Sequence, residues 1–116
     1  MPSDDPTQRF DDITENVRRI RAYTQGLDEA GFLKDAKTRD AVERCLERIA
    51  EAVRKLGDEY DGKYPELDLP ALRGLGNVLR HDYDIVQPGL LWGYVTNRLD
   101  ALDAMARMEL ARLPKG

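Results

Sequence analysis

The chain has one cysteine, one histidine, one tryptophan and two phenylalanines among 116 residues. A single thiol, Cys45, cannot close an internal disulfide, so no oxidising compartment is implied and a cytoplasmic location is expected. A single imidazole excludes the multi-histidine metal sites, and no other His, Cys or carboxylate spacing reads as a metal motif. No metal and no cofactor is therefore expected. No apolar run approaches the roughly 20 residues of a membrane span. The opening MPSDDPTQRF carries early acids and no apolar signal core, so neither a membrane nor an export route is expected. A basic excess is missing too: the net charge is −4. That argues against a protein that coats DNA through a broad basic face, though not against one that grips a short RNA in a small basic cleft. Sustained apolar–polar alternation, the signature of strands, is absent as well.

Helical periodicity is what remains. Phe10, Ile13, Val17 and Ile20 recur at spacings of three and four, which predicts a first helix over 7–24. The stretch 27–36 reads as a short helical turn or loop laid on the core. Thr38 or Asp35 caps a second long helix, striped by Val42, Leu46, Ile49, Val53 and Leu56 and ended near Gly57. Residues 57–67 form a polar loop. Asp68 caps a third helix, with Pro70 in its first turn, that runs to about His81. After Gln87, Pro88 and Gly89 a fourth helix continues to about Leu113, with Leu91, Val95, Leu99, Leu102 and Ala106 turned inward. The expected fold is all-α: an antiparallel four-helix bundle with a short extra helical turn, one domain over 1–116, flexible at 1–6 and 114–116. Cys45 is expected to be buried, and Trp92 to be a core or interface aromatic.

The chemistry-bearing residues gather in "GLGNVLRHDYDIV", residues 74–86. On a helical wheel of about 100° per residue, Arg73, Asn77, Arg80, His81 and Asp84 share one arc, provided the helix persists that far. Ala71, Leu72, Leu75, Val78 and Leu79 take the other side. Gly74 and Gly76 each cost a helix roughly 1 kcal/mol relative to alanine, and close approach of another backbone would account for them. A stripe of this kind is more often a solvated face than an active site. Yet imidazole is the side chain suited to proton transfer near neutral pH, and guanidinium to an anionic phosphate. Together they are the minimum for metal-independent RNA cleavage. Tyr83 is either a ring laid on the core or a hydroxyl presented beside that face.

Three segments carry a resemblance: "IRAYTQGLDEAGFLKDAKTRDAVERCLERIAEAVRKL", "YPELDLPALRGLGNVLRHDYDIV" and "LLWGYVTNRLDAL". Their F-L-x-D-x-K-T-R-D-A-V-E-R run and H-D-Y step are the most specific elements. With them the chain resembles the HepT-like family of the HEPN superfamily, the toxin half of toxin–antitoxin systems whose other half is a minimal nucleotidyltransferase. The resemblance implies a homodimeric helical domain with an RNA-cleaving cleft between the protomers. It assigns Asn77 the motif's polar position, His81 the catalytic histidine and Tyr83 the tyrosine to which the nucleotidyltransferase antitoxin transfers AMP. Glu43, Arg44 and Glu51 recur in the resembling segment and would brace the dimer or a partner surface, unless they form a solvated salt-bridge face.

One position departs from the pattern. Gly76, five residues before His81, stands where the family has its arginine. Arg80 is the expected replacement, joined by Arg73 in substrate binding, with the space left at 76 open to either. The alternative implied by Gly76 is a catalytically inactive HEPN subunit that binds and regulates the nucleotidyltransferase.

Overall fold

A computed structural model describes residues 5–114, and every regular element among them is helical. The order is α1 (Pro6–Thr24), α2 (Glu29–Lys34), α3 (Ala36–Leu56), a 3-10 turn (Pro65–Leu67), α4 (Leu69–His81), a second 3-10 turn (Tyr83–Ile85), α5 (Pro88–Asn97) and α6 (Leu99–Arg112). The expected flexible ends divide. Residues 1–4 and 115–116 lie outside the described part, whereas Asp5 caps α1 by accepting from the Thr7 N–H at 3.0 Å and Pro6 occupies its first turn. No helix among the described residues is long and apolar enough to cross a membrane.

Local chemistry sets most of the ends. Between the two candidate caps of α3, Asp35 serves and Thr38 is its partner: Asp35 accepts from the Thr38 N–H at 3.1 Å and from its hydroxyl at 2.7 Å. Those bonds hold the Asp35 carboxyl below the ordinary aspartate range. Gly57, at φ 78°, ends α3 in a conformation that side chains avoid. Asp68 caps α4 from the left-handed region, at φ 47°, where aspartate is one of the tolerated residues.

The expected fourth helix is two helices, broken at Arg98. Its halves follow different neighbours, α5 leaning on α2 and α3 while α6 lies along α1. Thr96 bonds back to the Trp92 carbonyl at 3.0 Å, a contact that bends helices. Arg98 holds the corner, its guanidinium donating to the Leu67 carbonyl and lying over the Tyr94 ring at 5.1 Å. Of the five residues expected to face inward here, Leu91, Leu99, Leu102 and Ala106 are buried and Val95 is partly so.

α3 is the central element, packed on α1 to one side and α4 to the other, with α6 beyond α1. Phe10, Ile13, Val17 and Ile20 of α1 meet Val42, Leu46, Ile49 and Val53 of α3, all within the buried core. Each such side chain contributes about 1.5–3 kcal/mol relative to exposure. Phe32 of α2 is fully buried, its ring 5.1 Å from that of Trp92, which is a core-edge aromatic as expected. Cys45 is buried too, and burial pushes its thiol up.

The two glycines of α4 do unlike jobs. A Cβ on Gly76 would meet the Cβ of Ala50 in α3 at 2.4 Å, so α4 sits closer to α3 than any larger residue allows. A Cβ on Gly74 would meet nothing within 4 Å. Opposite effects on stability follow. Gly76→Ala lowers it by about 1–3 kcal/mol through overpacking. Gly74→Ala raises it by about 0.5–1 kcal/mol through helix propensity. Urea denaturation of the two variants checks both signs, and a gain in Gly76→Ala would contradict the close approach.

Candidate functional site

α4 presents its polar residues in three directions rather than along one face. Leu72, Leu75 and Leu79 are buried, Val78 is half-buried, and Ala71, expected on the buried side, is exposed. Asn77 and His81, one turn apart, are both exposed to solvent. His81 is the last helical residue, because the Asp82 N–H closes α4 on the Val78 carbonyl at 2.6 Å. Asp84, expected on the same arc if the helix persisted, lies beyond this end in the 3-10 turn.

Arg80 leans toward α3. Its guanidinium lies 3.9 Å from the Glu51 carboxylate and 3.8 Å from where a Cβ of residue 76 would stand. It thereby lines a groove of about 370 Å3 floored by α3 and walled by α1. Glu51 accepts from Arg54, and that bond, with the charges of Arg54, Arg80 and Lys55, holds its carboxyl below the ordinary glutamate range. The space at 76 is taken chiefly by the Ala50 side chain, with the Arg80 guanidinium at its edge. The same contact leaves no room for an arginine at 76 unless α3 and α4 separate.

Arg73 is directed elsewhere. It makes a two-point ion pair with Asp61 in the preceding loop, at 2.9 and 2.5 Å. The pair holds Asp61 low and Arg73 high. Its expected part in substrate binding does not match this geometry: the guanidinium clamps the loop to α4.

Tyr83 opens the 3-10 turn and is 63% exposed, so the reading with a presented hydroxyl holds over the buried ring. It borders a concavity shared with Asp40, Glu43, Arg44 and Glu47. Burial and the neighbouring Asp40 and Glu47 charges raise the Glu43 carboxyl. Arg44 and Glu47, paired at 3.0 Å, line both this concavity and the Arg80 groove and so stand between them. The recurring residues Glu43, Arg44 and Glu51 therefore border the two hollows beside α4. Sequence reasoning missed Glu47, Arg48 and Lys55. The signal was present, since positions 44, 48, 51 and 55 form a polar stripe opposite the apolar one of α3. Among the described residues no three His, Cys, Asp or Glu side chains gather as a metal site.

A family model described as Ribonuclease HepT-like matches residues 13–108. The chain belongs to the HepT-like ribonuclease family. "Putative RNase MJ0127" of Methanocaldococcus jannaschii is 35% identical over 99 residues, covering 85% of this chain and 82% of that protein. "Probable ribonuclease HepT" of Thermococcus cleftensis is 30% identical over 93 residues, covering 80% and 84%. A relative from Caldanaerobacter subterraneus, "Putative RNase TTE0752", is 24% identical over 102 residues, covering 88% and 91%. No solved structure matches the chain significantly. Membership in the HepT-like family covers the segment that carries Asn77, Arg80, His81 and Tyr83.

The Asp61–Arg73 clamp has a pH signature. Asp61 titrates lower in the folded chain, so its contribution to stability is complete above the ordinary aspartate value of 3.8 and is lost as pH falls through the lower folded value. In urea denaturation across pH 2–6 (approximate limits set by the carboxylate range), Asp61→Asn should be less stable than the parent near neutrality and should flatten the acid-side fall. An unchanged acid limb would show that the pair contributes nothing.

Proposed function

We propose that this HepT-like chain is the toxin of a toxin–antitoxin pair, a homodimeric, metal-independent endoribonuclease in which Arg80 replaces the arginine missing at Gly76. The carrying observation is the guanidinium of Arg80, which lies over Gly76 and in a cationic groove, one residue from the exposed His81. His81 takes the proton of a ribose 2′-OH. That oxygen attacks the adjacent phosphorus, the bond from phosphorus to the 5′ oxygen breaks, and the leaving oxygen takes a proton from water or from the second copy of His81. Arg80 stabilises the charge gathering on the phosphoryl oxygens, and Asn77 positions the strand beside His81. A second copy of the chain completes the cleft. The exposed apolar residues Ile85 and Leu90, in the segment after His81, support a protomer seated there.

A minimal nucleotidyltransferase antitoxin silences the enzyme by joining AMP to the Tyr83 oxygen, with pyrophosphate leaving from ATP. The exposure of Tyr83 supports this role. Three of the four charged groups bordering its concavity are carboxylates, a poor setting for substrate phosphate. The added phosphate and nucleoside would obstruct the cleft and repel RNA.

A second reading has one observation in its favour: Gly76 leaves the family arginine absent and Ala50 leaves it no room. In that case the chain is an inert subunit that binds and regulates the nucleotidyltransferase.

Cleavage of RNA in the presence of EDTA separates the two. The parent cleaves and His81→Ala is slower by about 10²–10⁴-fold, the usual worth of a general base, with an unchanged circular dichroism spectrum. An inactive parent favours the inert subunit. Intact mass after co-expression with a nucleotidyltransferase encoded beside it should show AMP on the parent and none on Tyr83→Phe.

A further inference from the structure

The groove entered by Arg80 extends well past the reacting residues, along α3 toward its C-terminal end and across to α1. Five cations line it, namely Arg9, Arg44, Arg48, Lys55 and Arg80, against the carboxylates of Asp12, Glu47 and Glu51. On a chain with net charge −4, this is a local excess of two positive charges in a concave, low-dielectric setting. Several of these charges are already matched: Arg9 pairs with Asp12 at 3.4 Å and Arg44 with Glu47 at 3.0 Å. Arg48 and Lys55 have no ion pair within 4 Å among the described residues, so the excess resides on them.

The groove also holds an acceptor that the fold leaves unused. Asn16 of α1 is 94% buried, being only 6% exposed, and it lines the groove. Its Nδ2 donates to the Asp12 carbonyl at 2.8 Å, which fixes the amide, because the reversed amide would set oxygen against oxygen. Its Oδ1 has no hydrogen-bond partner among the described residues. A buried acceptor without a donor is unfavourable, and the residue that carries it lines a cationic groove, the oxygen itself being closed to solvent in the free chain.

We infer that this groove is a ribonucleotide-binding subsite for the RNA strand that flanks the scissile bond. Arg48 and Lys55 contact its phosphates, and Asn16 Oδ1, closed to solvent in the free chain, accepts from a ribose hydroxyl or a base amino group once the strand parts the groove wall. The inference rests on the ribonuclease reading for its ligand. Its volume of about 370 Å3 suits one nucleotide unit rather than a protein segment. Arg80, which brings the groove to α4 and precedes His81 in the chain, is then shared between the flanking strand and the reacting phosphate.

The test uses the full-length His81→Ala chain, which leaves RNA intact, and a fluorescein-labelled single-stranded 12-mer (an approximate length set by single-strand site sizes), as RNA and as DNA of the same sequence. Fluorescence anisotropy is followed across a salt series. Adding Arg48→Ala and Lys55→Ala together should weaken RNA binding tenfold or more. It should also reduce the salt slope by about 0.7 for each phosphate that is no longer neutralised. Adding Asn16→Leu should lower RNA affinity to that of DNA if a ribose hydroxyl is the donor, or lower both alike if a base amine is. Binding within twofold of His81→Ala at unchanged slope for the Arg48/Lys55 pair would overturn the subsite, as would RNA binding too weak to measure at low salt. The paired variant is on the surface and carries the test even where Asn16→Leu fails to fold. RNA cleavage by the parent, run alongside, separates the two readings. A cleaving parent whose KM is unmoved by the groove substitutions loses the subsite alone. A non-cleaving parent whose RNA binding depends on the groove loses the ribonuclease reading alone.

Discussion

The close approach of α4 to α3 at Gly76 and Ala50 governs the arrangement around His81. With no side chain at 76, two helix backbones meet at a separation that any larger residue forbids. Three consequences follow from that packing. It leaves no room for an arginine at 76, it lays Arg80 across the junction toward Glu51, and it makes α3 the floor of a groove that Arg80 enters. Departure from the family pattern and construction of the groove are thus one structural event. Another guanidinium, that of Arg80, lies over the same region from one turn further along the helix.

Charges of α3 then divide the surface into two hollows of unlike charge. The Arg44–Glu47 pair stands between a mostly acidic hollow beside Tyr83 and a mostly basic groove beside Arg80. Phosphate is favoured on one side and disfavoured on the other. On the proposed reading, a tyrosine to be modified and a strand to be cut would occupy neighbouring hollows of unlike charge. Arg73 stands apart from both hollows. By clamping Asp61 it fixes the loop before α4 and so the direction in which α4 runs.

Much of the fold was legible because its signals are local. Asp35, Gly57 and Asp68 mark helix ends through backbone geometry that needs no distant partner, and the stripes of α1 and α3 lie where their spacing puts them. The break at Arg98 was not legible. It arises from α5 and α6 following different neighbours and from a carbonyl offered by Leu67, far away in the chain. At the site, His81, Asn77 and Tyr83 stand out in sequence by residue type, and their exposure fits the roles expected of them. The pairing of Arg73 with Asp61 and the opposite duties of Gly74 and Gly76 depend on which side of α4 faces the loop and α3. The buried Asn16 acceptor carries no signal in the sequence, because only tertiary packing buries it beside the groove.

The central claim is that the guanidinium of Arg80 supplies what Gly76 does not. It is tested most directly by chemical rescue. Single-turnover RNA cleavage by Arg80→Ala is measured in EDTA, with and without free guanidinium at concentrations well below those that unfold proteins. Cleavage should fall by about 10²–10³-fold, the worth of one preorganised transition-state donor, and recover in part, saturably, with added guanidinium but not with sodium at equal ionic strength. Parental cleavage rates in Arg80→Ala without any addition would contradict the claim.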